Sequence, residues 1–328
     1  MGVKVYTINE LMSVKIKHVP IIEKILKVGD LMVVKAQSKT GKSVFTQQIA
    51  HAVSSGEDFL HAFPTRKGKV VYVSGEGYIA DWQDRFDNMG KMWKVDDDNL
   101  RFLECTDIAL HTKTGKNMVV ESLLQCWNEI DLVIFDNLGS LIEGGSINDQ
   151  THMSTFMGNL NSIRSMFNCA IVLVHHDSEK AFTDKSGKKH MAHHTTLMGS
   201  TFTGAGMTHA YTLMKTGHKK GEIMHRIVLG KTRSGYPLEK LDMYMITPEN
   251  DQDNRLGYTL DHGDFNKNYH LIKSYIHDYK EVSDHKPFED IGVSESTFYR
   301  QVAQLIQQGF VAKIKKEKKG YYTWTSKK

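Results

Sequence analysis

The chain has 328 residues, of which 40% are hydrophobic, 24% charged and 9% aromatic. This composition is typical of a globular protein and excludes disordered and fibrous classes. The net charge of only +4 permits a nucleic-acid partner without requiring one. Three widely separated cysteines exclude a disulfide framework, and no apolar run is long enough to span a membrane. We therefore expect a cytoplasmic protein with no membrane partner.

Apolar segments alternate with amphipathic segments over the first 175 residues. Predicted strands cover residues 31–34, 69–73, 101–103, 131–135 and 170–174, and predicted helices start near Lys42 and cover residues 79–89, 119–130 and 153–167. This alternation predicts an α/β fold with a mostly parallel central sheet flanked by helices. In such sheets the carboxyl ends of the strands meet at one edge, and ligands bind there.

The pattern changes after residue 205. Three short predicted strands, residues 210–214, 226–229 and 244–246, suggest an antiparallel extension of the same sheet. The last 60 residues predict two short helices, a longer helix over 295–308 and two strands that flank a lysine-rich turn, which is the outline of a winged helix. The predicted organisation is a leader (residues 1–28) that contacts a neighbouring subunit, an α/β domain (29–262) and a small C-terminal winged-helix domain (263–328).

The segment AQSKTGKS, residues 36–43, has the spacing of a phosphate-binding P-loop and lies between a predicted strand and a predicted helix. Its backbone N–H groups and Lys42 are expected to hold phosphate oxygens, and Ser43 to ligate Mg²⁺, so ATP and Mg²⁺ are the predicted cofactors. P-loops usually open with glycine, and Ala36 fits there only with a negative φ or modest strain. The predicted nucleotide-binding residues are Ser38, Lys39, Thr40, Gly41, Lys42 and Ser43.

Two acidic residues follow predicted strands. Asp136 ends the strand 131–135 and is expected to hold the Mg²⁺ shell from a neighbouring strand end, although an aspartate there can also cap a turn. Glu76 lies between Gly75 and Gly77 just after the second strand. It is placed to orient and deprotonate an attacking water, with a solvated loop glutamate as the alternative.

Together these motifs resemble the RecA-like ATPases, and most closely the plasmid RepA-type hexameric replicative helicases, over residues 19–237. The resemblance implies that Lys42, Ser43, Asp136 and Glu76 carry ATP hydrolysis. It also implies a γ-phosphate sensor at the end of the strand 170–174, which falls on His175, with His176 as the alternative.

A second resemblance concerns Lys231 and Arg233. In related DnaB-type helicases a Lys-x-Arg pair on a late hairpin reaches the γ-phosphate of the neighbouring subunit. This implies a homo-oligomer, with a hexamer expected. RepA-type relatives often carry Arg-Gly-Ser after their long loop, whereas this chain has Met198-Gly199-Ser200, so the finger role falls on Arg233. A solvated basic hairpin is the alternative.

Two regions are predicted to contact DNA. The resemblance to RecA-like ATPases implies that the long polar segment 177–203 tracks single-stranded DNA in a central channel, with a solvated surface insertion as the alternative. Residues 310–328 carry seven lysines and one acid, which fits a wing on duplex phosphates, with a protein-binding winged helix as the alternative. The predicted DNA-binding residues are Lys185, Lys188, Lys189, Arg300, Lys315 and Lys316.

These features predict an ATP-driven oligomeric DNA helicase or translocase that acts in replication of a plasmid, phage or mobile element. An ATP-dependent loader or recombination mediator without unwinding activity is the first alternative. A DNA-binding regulator with a nucleotide switch and a strand-exchange recombinase are the others.

Overall fold

The computed structural model forms two compact units, Met1–Tyr258 and Thr259–Lys328. The residues that the structure describes are 6–13, 19–92, 98–105, 108–176, 206–219, 222–232, 237–251, 253–260, 272–273, 275–283, 285, 287–292, 294–307, 310–316 and 319–325. Within them, no helix is long and apolar enough to cross a membrane.

The first unit opens with a short helix, a small hairpin and the parallel half of a large sheet. These elements are α1 (Ile8–Ser13), β1 (Pro20–Ile22), β2 (Leu26–Lys27), β3 (Leu31–Ala36), β4 (Val70–Ser74), β5 (Leu100–Glu104), β6 (Leu132–Asp136) and β7 (Ala170–His176). The sheet continues with β8 (His209–Lys219), β9 (Glu222–Thr232), β10 (Lys240–Ile246) and β11 (Gly257–Leu260).

Among the described residues nine strands join one sheet, in the order β11-β10-β9-β8-β3-β7-β6-β4-β5. The six strands from β8 to β5 in this order run parallel to one another. The pairs β8–β9 and β9–β10 are antiparallel, as the short connections predicted. Because β7 lies between β3 and β6, the expectation that Asp136 ends the strand next to the P-loop strand was wrong.

Four helices cover the parallel strands: α2 (Lys42–Ser55), α3 (Ile79–Gly90), α4 (Lys113–Cys126) and α5 (Gln150–Phe167). Strands β3, β4 and β6 are buried at every residue, as strands covered on both faces must be. Helix α4 begins six residues before the predicted start at 119, because the Thr112 side chain accepts a hydrogen bond from Gly115 N and caps it. Strand β11, the hairpin β1–β2 and α1 had no counterpart among the predicted elements.

The second unit has a core of its own. Residues 275–279 are helical and are followed by β12 (Glu281–Ser283), α6 (Pro287–Asp290), α7 (Glu295–Gln307), β13 (Val311–Lys316) and β14 (Lys319–Trp324). The three strands form an antiparallel sheet in the order β12-β14-β13. Ile276, Phe298, Leu305 and Tyr322 are among the residues that fill the core. The two predicted strands are present, and β12 adds a third.

Candidate nucleotide-binding site

The P-loop joins β3 to α2 at the carboxyl edge of the parallel strands. Ala36 is the last residue of β3 and is not among the residues with positive φ, so it fits at this position without left-handed strain. Lys39 (φ 59°) and Gly41 (φ 89°) are left-handed and turn the chain into α2. Gly41 is the residue that caps α2 and has no side chain, so the N–H groups of the first turn remain for an anion.

Lys42 and Ser43 are the last two residues of the P-loop segment and the first two residues of α2. Lys42 is only 4% exposed, and its Nζ donates a hydrogen bond of 2.8 Å to the Gln37 carbonyl oxygen. The Ser43 side chain lies close enough to Asp136 to lower the pKa of that carboxyl group. The ammonium group and the hydroxyl group that sequence reasoning assigned to phosphate and Mg²⁺ therefore lie at the same end of the helix.

Asp136 is the buried acid of the site and is 5% exposed. Burial raises the pKa of its carboxyl group, hydrogen bonds from Tyr72 and Ser43 oppose that rise, and the charge of Glu76 adds to it. Oxygen donors of this kind, one hydroxyl group and one carboxylate, suit Mg²⁺, which prefers few protein ligands together with phosphate oxygens. Ser43 and Asp136 therefore fit the predicted metal-binding role.

Glu76 lies in a tightly built turn after β4. Its carbonyl oxygen accepts hydrogen bonds from Ser74 Oγ (2.7 Å) and Trp82 Nε1 (3.1 Å). Gly75 N donates to the Asp136 carbonyl oxygen at 2.8 Å, and a Cβ at Gly75 would meet Ser140 Oγ at 2.1 Å. The backbone is thus fixed beside Asp136, whereas the Glu76 side chain itself is 60% exposed.

His176, and not His175, is the histidine beside this acid. Its Nε2 lies 3.8 Å from Glu76 Oε2, and its side chain is 42% exposed. Burial and the charge of Lys42 lower the pKa of His176, against the raising effect of Glu76 and Asp136. Successive strand residues point to opposite faces, and His175 is 2% exposed. The structure thus brings the alternative sensor to the site.

The back of the P-loop contacts Tyr258, a residue that no sequence motif indicated. Tyr258 of β11 is buried, and its Oη lies 3.1 Å from the Thr40 carbonyl oxygen and 3.3 Å from that of Gly41. The Gln48 side chain donates to the Tyr258 carbonyl oxygen (2.8 Å) and accepts from its N–H (2.7 Å). The two residues are 210 positions apart, so no local pattern could have found this contact.

Lys231 is not near the P-loop of its own chain. It pairs with Ala210 of β8, which in turn pairs with Val33 of β3. The backbone of Lys231 is therefore two strands away from β3, and along the strands it lies three residues before the level of Ala36. Each of these two distances is about 10 Å. Arg233 lies outside the described residues.

The predicted DNA-binding residues belong to the segment 177–203 and to the second unit. Lys185, Lys188 and Lys189 lie outside the described residues. Arg300 is in α7, and Lys315 and Lys316 are in β13, where they pair with Gly320 and Lys319 of β14.

The P-loop between β3 and α2, the acids at two further strand ends and the mostly parallel sheet define a P-loop ATPase. Residues 7–181 match the model of the AAA domain family. This match spans more than half of the chain, which belongs to that family. No curated protein matches the chain significantly. Among solved structures, a KaiC-like protein from the hyperthermophilic archaeon Pyrococcus horikoshii OT3 aligns with a TM-score of 0.48 and 12% identity, over 74% of this chain and 96% of its own.

Proposed function

We propose that the protein is an ATP-driven, oligomeric DNA helicase or translocase that acts in replication of a plasmid, phage or mobile element. The observation that carries the proposal is the meeting of Lys42, Ser43, Asp136, Glu76 and His176 at one edge of the sheet. A fixed phosphate cradle, a metal-binding pair and an exposed carboxylate are the parts that hydrolysis of ATP needs.

Each residue has one task in this mechanism. The N–H groups of the loop and Lys42 bind the β- and γ-phosphates. Mg²⁺, held through Ser43 and Asp136, supplies charge neutralisation on the phosphate oxygens when bound. Glu76 is exposed enough to meet a water and accepts its proton as the water attacks the γ-phosphorus. His176 faces the same space and reports the γ-phosphate to β7.

The site is completed by a neighbouring subunit in this proposal. Lys231 sits about 10 Å away from its own P-loop in each of two directions, so a phosphate contact made by the Lys231–Arg233 pair serves another copy. Arg233 would then stabilise transition-state charge in trans, and a closed ring, with a hexamer expected, provides such an interface at every subunit.

The second unit is assigned as a winged helix that binds DNA. The order of a helix, β12, α6, α7 and the hairpin β13–β14 supports this assignment. Arg300 on α7 and Lys315 and Lys316 on the hairpin are the proposed contacts to duplex phosphates. Lys185, Lys188 and Lys189 are the proposed contacts to single-stranded DNA in the ring.

The test is ATP hydrolysis and unwinding of a forked duplex by the full chain. Lys42→Ala should abolish both activities, and Glu76→Gln should lower ATP turnover by about 10²–10⁴-fold while leaving nucleotide binding intact. Glu129→Gln, an exposed glutamate at the opposite end of the strands, is the matched control and should leave turnover unchanged.

Other outcomes separate the alternatives. DNA-stimulated ATP hydrolysis without unwinding would replace the helicase by a loader or recombination mediator. Normal turnover in Glu76→Gln would reject Glu76 as the base and favour a regulator in which nucleotide binding is a switch.

A further inference from the structure

Tyr72 is in contact with Asp136 of the proposed Mg²⁺ site and has no role in the mechanism above. It is on β4, which pairs with β6 so that Tyr72 is opposite Ile134 and Ser74 is opposite Asp136. Tyr72 and Asp136 are therefore diagonal neighbours on one face of the sheet. The Tyr72 Oη lies 2.6 Å from Asp136 Oδ2, and both residues are buried. This distance is typical of a hydroxyl group that donates to a carboxylate.

A second hydroxyl group is in contact with the same phenol. Thr46 Oγ1 lies 3.1 Å from Tyr72 Oη and 3.2 Å from the carbonyl oxygens of Lys42 and Ser43. Tyrosine has a single hydroxyl proton, and Asp136 receives it. Thr46 is thus the donor when it bonds to Tyr72, and the chain Thr46, Tyr72, Asp136 connects the first turns of α2 to the end of β6.

The ring of Tyr72 is held so that its hydroxyl group cannot turn away. Phe102 stacks on it with 6.1 Å between centroids and 10° between planes, and Trp82 lies at 5.4 Å. Phenylalanine would fill this aromatic cluster equally well, and a buried hydroxyl group is costly unless it is hydrogen-bonded. The polar atom of this residue therefore serves its two hydrogen-bond partners and not the packing.

We propose that Tyr72 is a positioning residue for the metal site, which holds Asp136 Oδ2 so that the other carboxylate oxygen faces the Mg²⁺ shell. This inference rests on the proposed function, since it presumes that Mg²⁺ and a nucleotide bind at Ser43 and Asp136. Groups that orient a metal-binding carboxylate typically change metal affinity by 10–100-fold when they are removed.

The test measures binding and not turnover. A fluorescent, non-hydrolysable ATP analogue is titrated into the full chain in EDTA and at a series of Mg²⁺ concentrations. The Mg²⁺ midpoint is the Mg²⁺ concentration that gives half of the Mg²⁺-dependent gain in affinity. In Tyr72→Phe this midpoint should rise about tenfold or more, whereas the affinity for the analogue in EDTA should be unchanged. Tyr211→Phe is the matched control, since it removes another buried hydroxyl group, one that donates to the Leu238 carbonyl oxygen at 3.0 Å.

A folded Tyr72→Phe variant with the wild-type Mg²⁺ midpoint would overturn the inference, and so would an equal loss of affinity with and without Mg²⁺. If Tyr72→Phe fails to fold, Thr46→Val replaces it, because it removes the hydroxyl group that contacts Tyr72 Oη at 3.1 Å and should raise the midpoint by a smaller factor. If the nucleotide affinity of the wild-type chain does not respond to Mg²⁺, the proposed function is overturned and the inference with it. This result is distinct from a failure of the inference alone, in which the wild type responds to Mg²⁺.

Discussion

His175 and His176 are neighbours in the chain, but the sheet gives them different surroundings. His176 lies 3.8 Å from Glu76, whereas His175 is buried on the other face of β7. We expect His176→Asn to lower ATP turnover about tenfold or more, because it removes a group that faces the proposed position of the γ-phosphate. His175→Asn should lower the free energy of unfolding and leave turnover per folded molecule nearly unchanged. Steady-state kinetics with urea unfolding of both variants checks this, and the reverse result would restore His175 as the sensor.

Two other histidines should make the free energy of unfolding depend on pH. His51 and His225 are buried, and desolvation lowers the pKa of each to about 4. Unfolded histidine has a pKa near 6.5, so between pH 6.5 and 4 the unfolded chain binds protons that the folded chain does not. Each histidine should therefore reduce the free energy of unfolding by up to about 1.4 kcal/mol per pH unit as the pH falls through this window.

Urea unfolding of wild type and His51→Leu at pH 7.5, 6.5 and 5.5 measures the effect. The variant should lose less stability on acidification, since leucine cannot take up the proton. Parallel pH dependence of the two chains would show that His51 does not contribute.

At the scale of elements, β11 and the P-loop are fitted to one another. Gly41 has a φ of 89°, and a Cβ there would meet Tyr258 Oη at 2.2 Å. Gly144 has a φ of 69° with nothing within 4 Å of its Cβ position. Alanine at either position carries left-handed strain of about 1–2 kcal/mol, and at Gly41 it also displaces Tyr258.

Gly41→Ala should therefore weaken binding of the ATP analogue by about tenfold or more, whereas Gly144→Ala should leave it within about twofold, since its strain lies away from the loop. Gly41→Ala combined with Tyr258→Phe should recover part of the loss, because the clashing hydroxyl group is gone. Equal affinity of Gly41→Ala and Gly144→Ala for the ATP analogue would show that β11 does not constrain the loop.

Local patterns were sufficient for part of this fold and site. The P-loop, Asp136 and Glu76 each belong to a strand and the few residues after it, so spacing along the chain was enough to predict that they lie at one edge of the sheet. Helix α4 was placed six residues late because its first turn contains Gly115, a weak helix former. Tyr258 and Tyr72 depend on pairings across 210 and 64 residues, which hydrophobic periodicity does not encode. Which histidine of β7 lies beside Glu76 likewise depends on the position of β7 between β3 and β6, which periodicity does not predict.

At the scale of the whole molecule, charge is unevenly distributed. Residues 310–328 carry more positive charge than the net +4 of the chain, so the remainder is close to neutral. A near-neutral core suits a ring in which identical subunits lie side by side, because strong like charge would push them apart. In the proposed function residues 310–328 provide the attraction to DNA phosphates, and their contribution to binding should weaken steeply with salt.

The proposed ring predicts that one ATP site uses residues of two subunits. Lys42→Ala should inactivate the site that a subunit carries, and Arg233→Ala the site of its neighbour, so each pure variant should hydrolyse little ATP. In a randomly mixed 1:1 oligomer about a quarter of the interfaces pair an intact P-loop with an intact finger, so mixing should restore about a quarter of wild-type turnover. Lys42→Ala mixed with the double variant Lys42→Ala/Arg233→Ala is the control, since no P-loop is intact. If the subunits exchange and ATP turnover is not recovered, Lys42 and Arg233 act at the site of the same subunit. The argument for a site shared between subunits would then be lost.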